Sequence, residues 1–551
     1  MATSAVQGAR VGGLVIKDPV QLRRAIEDAV GNVKIEDIHT HIFPPAFGGM
    51  SLWGIDDLLT YHYLQAEYLG VSREDPQKFL SRSKEQQADR VWNALFNRRA
   101  PISEATTGVV TCLSALGLDP FQPDLKKHRE FFRDTTLKDH IERVFKLAGV
   151  GSVVMTNDPF NKEEASVWMK GFERDPRFRA ALRIDALFDR RKDAVEEMKR
   201  QGYHFSGQVV ISHVKTFLER WADRMKPVYL AASLPDTFAY PDRPDNQIRT
   251  QVLDEAVLPL ARERNIPVAL MIGVKRGTNP GLKLAGDSLG KADIKAVEEL
   301  CRKNPENKFL VTMLSRENQH ELAVTARKFP NLMVFGCWWF LNNPSIIEEM
   351  TRERIELLGL NFIPQHSDAR ILDQLTYKWI HSRRAIAAAL APYYERLMRS
   401  HWRVTKNDVQ KSVQQLFSLN FMDFLKWRPG SDTEPVELSS SAAVKGAGGK
   451  KEGGKGKSPE AVPSGMKGDV AKKVKKILAE ELGLSDAQIK KMGKRSKLIE
   501  DLGADSLDEA ALVQAFKEEF DIEIDDQVEF RTVGNVIDEV NKALKRKGHK
   551  K

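Results

Sequence analysis

The sequence predicts an α/β protein: a (β/α)8 TIM-type barrel with a helical insertion after its first strand, followed by a small all-α helical bundle. Three observations carry this. Short apolar runs alternate with longer helix-patterned stretches through residues 1–429;. A segment nearly devoid of large apolar side chains follows, SSSAAVKGAGGKKEGGKGKSPEAVPSG. Beyond it, apolar residues recur at helical spacing. At 551 residues the chain exceeds one ordinary core, so at least two folded units are expected;.

The candidate strands are Ile35–His39, Ser152–Thr156, Arg179–Ile184, Gln208–Ile211, Pro267–Ile272, Lys308–Met313, Leu332–Phe335 and Asn361–Pro364, with Val228–Ala232 as an alternative. Each is rich in β-branched or apolar side chains and bounded by polar, Gly or Pro residues, as parallel strands buried on both faces should be. Eight such strands suggest a closed barrel. Residues 42–149 are too long for one crossover and read as a mostly helical cap over the barrel mouth. Residues 430–466 cannot offset the entropy of ordering and read as a flexible linker, about 30–36 Å across for a Gly-rich coil. Residues 467–547 carry three amphipathic patterns: Val470, Val474, Ile477, Leu478 and Leu482; Leu512, Phe516 and Phe520; and Val533, Val536, Ile537, Val540 and Leu544. They make a helical bundle.

Composition excludes several classes. No apolar run approaches the roughly 18 residues of a membrane helix, and the N-terminus lacks a basic stretch followed by a long apolar one. Cys112, Cys301 and Cys337 are far apart, with no CxxC pair, which argues against a disulfide framework or a cysteine zinc site and fits the cytoplasm;. The net charge of +9 is concentrated in linker lysines and the tail KRKGHKK, so neither a nucleic-acid nor a membrane partner is expected;.

The first strand ends in Asp37-Ile38-His39-Thr40-His41. Two histidines one residue apart leave a strand on the same side, so both imidazoles can reach one cation at the barrel mouth. The last strand is followed by Gln365-His366-Ser367-Asp368-Ala369-Arg370, whose Asp368 stands where a closing ligand or base is needed. The bland alternative is that these are structural histidines.

Further strings make a resemblance specific. DIHTHIFPPAFGG and GIDDLLTYHYLQAEYLG, then MTNDPF, LRID, IGVKRGTNPG, FGCWWFLN and SDAR, resemble uronate isomerases, in the same order over about 400 residues. The resemblance implies an aldose–ketose isomerisation of a sugar acid in an amidohydrolase-type barrel. It places His39, His41 and Asp368 around a divalent metal, zinc foremost and manganese second. Asp368 would double as base and Tyr63 would be a second proton-transfer group. Arg370 would orient Asp368 or a substrate oxygen, Arg183 and Arg276 would grip the substrate carboxylate, and Trp338 and Trp339 would wall the pocket. The chain departs from the family where a histidine is common in the fifth strand: here the string is Ala269-Leu270-Met271-Ile272-Gly273. DSR has also become DAR. His213 and His366 are substitute ligands that the spacing alone does not select.

The segment LIEDLGADSLDEAALVQAFKEEFDIEI resembles acyl carrier proteins. In that family the serine of DSL, here Ser506, carries 4′-phosphopantetheine, and Asp505 presents it to a phosphopantetheinyl transferase. Asp508, Glu509, Glu518 and Glu519 make an acidic surface suited to acyl-transfer partner enzymes. The fusion leaves three readings open: an isomerase of a sugar acid, a hydrolase or decarboxylase of a carrier-bound acyl substrate, and a degenerate barrel that docks the carrier.

Overall fold

A computed structural model describes residues 14–203, 211–242, 248–431, 466–481, 492–498, 501–502, 512, 516–517, 519–520, 522 and 531–548. The chain divides into two compact units. One comprises Leu22–Arg396 with Ser412–Asp432; the other comprises Met1–Gln21, Leu397–Lys411 and Thr433–Lys551.

The first unit is built on parallel strands β1 (Ile35–Thr40), β2 (Val150–Asn157), β3 (Phe178–Arg183), β4 (Leu230–Pro235) and β5 (Val268–Lys275), with β6 (Ser288–Leu289) an antiparallel spur on β5. They continue into β7 (Phe309–Met313) and β8 (Leu332–Val334), in the spatial order β1-β2-β3-β4-β5-β7-β8. The eighth parallel position is filled by the segment around Ile363. It bridges Phe335, with Ile363 N–H donating to Val334 O at 3.0 Å and Gly336 N–H to Ile363 O at 2.8 Å. The same segment then reaches β1: Asp368 N–H donates to His39 O at 3.0 Å, and His41 N–H to Ala369 O at 2.7 Å. The barrel is thereby closed.

One expected strand is corrected. Ile211 begins a helix, Ile211–Met225, and Gln208 lies outside the described residues. Val214, Phe217, Leu218, Trp221, Ala222 and Met225 are buried at three- and four-residue spacing, so the apolar period is helical;. The fourth strand is β4, which overlaps the alternative Val228–Ala232.

Side chains from successive strands fill the barrel: Ile38, Val154, Ala181, Ala231, Ala269, Leu310, Met333 and Ile363. At the N-terminal mouth Phe421 and Phe424 join that core from the helix Asn420–Lys426. Lys308, 2 % exposed, donates from Nζ to the carbonyls of Phe424, Leu425 and Trp427 at 3.1, 2.8 and 2.9 Å. The first two are terminal carbonyls of that helix and the third belongs to its C-cap residue, so none has a partner within the helix;.

Between β1 and β2 stands the expected helical insertion. Its helix starts are chemically marked: Ser83 and Gln86 form a capping box, Ser103 accepts from Thr106 N–H, and Thr136 accepts from Asp139 N–H;. The insertion has its own core of Leu58, Leu59, Tyr68, Phe79, Trp92, Val109 and Leu113, which Ile371 and Tyr377 join from beyond the last strand position.

In the second unit the helices Met466–Glu481 and Val533–Gly548 pack a core of Val474, Leu478, Leu498, Leu512, Phe516, Val533, Val536, Ile537 and Val540. Most of these were the apolar positions expected of the bundle. Ser506 and Asp505 lie outside the described residues. No helix among the described residues is long and apolar enough to cross a membrane.

Gly336 tests the closure. Its φ is +67°, and a Cβ there would meet His366 Nδ1 at 1.8 Å. Gly336→Ala therefore combines left-handed strain with overpacking, and should cost about 2–4 kcal/mol in chemical unfolding. An unchanged midpoint would show that the segment 363–369 is free to give way.

Candidate active site and metal centre

His39 and His41 leave the end of β1 and Asp368 leaves the closing segment. One ligand atom from each lies within 4.8 Å of the other two. His39 Nε2 and His41 Nε2 stand 3.7 and 3.4 Å from Asp368 Oδ1.

The protonation of His39 follows from its neighbours. Tyr229 donates its hydroxyl proton to Ile38 O at 2.7 Å, and the same oxygen lies 3.2 Å from His39 Nδ1. With its proton already committed, the phenol can only accept there, so Nδ1 carries the hydrogen and the Nε2 lone pair faces Asp368. Burial pushes His39 down to about 3 and His41 well below its usual range. Two neutral imidazoles and a carboxylate form a donor set that fits a divalent cation, and the Tyr229 contact is the kind of outer support metal-binding histidines use.

Asp368 holds an unusual backbone, with φ +49°. Several contacts impose it. Buried Lys378 donates from Nζ to Ser367 O at 2.6 Å, and Asn342 Nδ2 donates to the same oxygen at 3.0 Å. Ser367 N–H donates to Asp37 Oδ1 at 3.0 Å, and Trp379 Nε1–H to Asp37 Oδ2 at 2.8 Å. A non-glycine residue in this conformation persists only where its surroundings over-determine it.

The three ligand residues open into a small cavity at the barrel mouth. Arg183, Arg276 and Arg370 give it positive charge, and Trp338 and Trp339 wall it; Met271, Thr156 and Ser233 also line it. Arg183 is braced by Asp185 at 3.0 Å, whose other oxygen accepts from Ser233 N–H at 2.6 Å. Arg276 pairs with Asp287 at 2.6 Å and is 57 % exposed, so it sits at the rim.

Thus eight of the residues expected at the site come together: His39, His41, Asp368, Arg370, Arg183, Arg276, Trp338 and Trp339. Tyr63 is not among the lining residues, while its neighbours Tyr61 and His62 are; the Tyr63 ring lies 4.9 and 4.5 Å from theirs. A helix begins at His62, with Tyr61 as its extended N-cap. The Tyr63 hydroxyl is buried without a hydrogen-bond partner among the described residues, and the charges of Asp368 and Arg370 act on it. His62 Nε2 and Trp339 Nε1 are buried without a hydrogen-bond partner among the described residues. His366 is buried 5.3 Å from His39, ring to ring, but neither it nor His213 joins the ligating group.

The fold has counterparts among solved structures. A uronate isomerase from Bacillus halodurans C-125 matches with 48 % identity and a TM-score of 0.73, over 75 % of this chain and 98 % of that one. The chain belongs to the uronate isomerase family. Two more distant solved structures share its fold at 16 % identity and a TM-score of 0.60: a uronate isomerase from Thermotoga maritima and a glucuronate isomerase from Caulobacter crescentus. They cover 74 and 76 % of this chain and 97 % of each of theirs. Residues 472–540 match the family described as "Phosphopantetheine attachment site". This uronate isomerase family member is therefore fused to a carrier domain.

One carboxyl beside the site makes a pH test. Glu164 Oε2 accepts from Asp158 N–H at 3.0 Å and Asn157 Nδ2 at 3.3 Å, and burial holds its carboxyl up at about 7. Between its ordinary value near 4.5 and about 7, the folded state binds a proton there that the unfolded state has released. Its contribution to stability therefore falls as pH rises through that window. Glu164→Gln should match the parent in thermal midpoint near pH 4 and exceed it progressively up to pH 8; a constant difference would refute the assignment.

Proposed function

We propose that this barrel is a divalent-metal-dependent isomerase that interconverts the aldehyde and ketone forms of a hexuronate-like sugar acid. The observation that carries the reading is the junction of a neutral His-His-carboxylate triad with three guanidinium groups in one walled cavity. It rests equally on the likeness to the Bacillus halodurans enzyme.

The residues divide the work. Arg183 and Arg276 take the substrate carboxylate in charge-assisted hydrogen bonds. Arg370 orients Asp368 or a substrate oxygen. Asp368 removes the proton from the carbon beside the aldehyde and returns it to the former carbonyl carbon, while Tyr63 exchanges a proton with the oxygens. Burial raises the Tyr63 phenol well above its usual range, so it begins as a donor;. Trp338 and Trp339 keep water from the reacting carbons. Zinc or manganese held by His39, His41 and Asp368 would supply Lewis-acid polarisation of a substrate oxygen when bound.

We assign residues 1–429 to the catalytic barrel, 430–466 to a linker and 467–547 to an acyl carrier domain. Ser506 is its attachment residue for 4′-phosphopantetheine, a phosphopantetheinyl transferase its modifier and acyl-transfer enzymes its partners. The three cysteines are buried and free, which suits a reducing cytoplasm;.

Two measurements test this. Purified protein supplied with zinc or manganese should isomerise glucuronate, and Asp368→Asn should lower turnover by about 10²–10⁴-fold together with bound metal by elemental analysis; unaltered turnover would end the reading. Intact-mass spectrometry after coexpression with a transferase should show one phosphopantetheine group, lost in Ser506→Ala; the same mass gain in the variant would move the attachment elsewhere.

A further inference from the structure

Asp373 is 1 % exposed and sits five residues beyond Asp368, just before the long helix Gln374–Arg399. A carboxylate so deeply buried needs a partner for each oxygen. Both partners come from the helical insertion. Oδ1 lies 2.8 Å from Nε2 of His140, itself wholly buried, and Oδ2 accepts from Gly54 N–H at 2.8 Å. The carbonyl of the same residue accepts from Cys112 Sγ at 3.1 Å. His140 Nδ1 has no partner among the described residues, so the proton resides on Nε2 and is given to Asp373;. Trp53 and Phe132 hold the imidazole between them, with ring centroids at 5.3 and 5.4 Å. Leu372 N–H donates to Leu52 O at 3.0 Å beside these contacts. One residue thus gathers stretches of the insertion that lie far apart in sequence.

The place of this clamp matters. Seven and eight residues after Gly54 come Tyr61 and His62, which line the cavity from the insertion. Three and five residues before Asp373 come Arg370 and Asp368, which line it from the barrel. The ligating residues themselves come from β1 and the closing segment and need nothing from the insertion. We propose that Asp373 is a positioning residue: its carboxylate, shared between His140 Nε2–H and Gly54 N–H, fixes the insertion over the metal-binding triad so that Tyr61 and His62 meet the substrate held by Asp368 and Arg370. This rests on the isomerase reading of the site. Reaction rate is sensitive to placement, and a shift of about 1 Å costs on the order of 10²-fold.

The test uses the full-length protein loaded with zinc. Asp373→Ala and His140→Phe should each lower kcat for glucuronate by about 10²-fold, with zinc content unchanged. Amide hydrogen exchange in the peptide spanning residues 52–63 should rise. His140→Gln, which keeps a donor for Asp373, should restore most of the loss; a purely structural role would instead lower the thermal midpoint and leave kcat of the folded protein intact. If Asp373→Ala does not fold, His140→Phe and His140→Gln carry the comparison. Parental kcat in His140→Phe, or loss of zinc in step with loss of turnover, overturns the proposal. Failure of the parent to isomerise glucuronate removes the isomerase reading; the clamp is then judged on exchange alone, and parental exchange in His140→Phe overturns it.

Discussion

The candidate site depends on two backbone hydrogen bonds, Asp368 N–H to His39 O and His41 N–H to Ala369 O. They join the first strand to a segment some 330 residues later in the chain. Without that seam the histidines and the aspartate would have no common point. The seam also sets the cost of the arrangement. Bringing the carboxylate toward the imidazoles gives Asp368 a left-handed backbone, and Lys378, Asn342, Asp37 and Ser367 hold it there. Much of the polar network behind the mouth of the barrel is thus support for one residue.

Burial then decides the charge state of what has been assembled. His39 is buried and His41 largely so, and desolvation keeps both imidazoles neutral although a carboxylate lies within 4 Å. Arg370 and Arg183 reinforce this, since a second positive charge beside them is disfavoured;. The same guanidinium groups that would bind an acid therefore help keep the histidines fit to bind a cation. Stability is provided elsewhere, at the opposite mouth, where Lys308 and two phenylalanines close the barrel with no part in the cavity.

Much of this was legible in the residues. The strands after β1 announce themselves because both faces are buried, and H-x-H at a strand end has few geometric outcomes. The misplaced fourth strand shows the limit: Gln208–Ile211 has strand composition, but the period that continues from Ile211 to Met225 is helical and overrode it;. The Tyr61-His62-Tyr63 string shows a second limit. Which of three consecutive aromatic side chains lines a cavity is fixed by the entry angle of the chain at the helix start, not by residue type. Asp373 could not have been found from sequence, because its partners Gly54 and His140 meet only once the insertion has folded back.

Met271 bears on how far the family pattern can be carried over. It stands in β5, in register with Ser233 on one side and Thr312 on the other, and lines the cavity. A thioether is a soft, neutral donor and a poor ligand for a hard or borderline divalent ion, whereas an imidazole there could have been a further ligand. With Met271 in that place, the protein offers such an ion three donors rather than four, and the remaining positions fall to substrate or water. The thioether instead adds an apolar group to a cavity that three guanidinium groups otherwise charge. Under the proposed isomerase reading, the replacement gives up a possible metal contact for an apolar one that suits the carbon skeleton of a small acid.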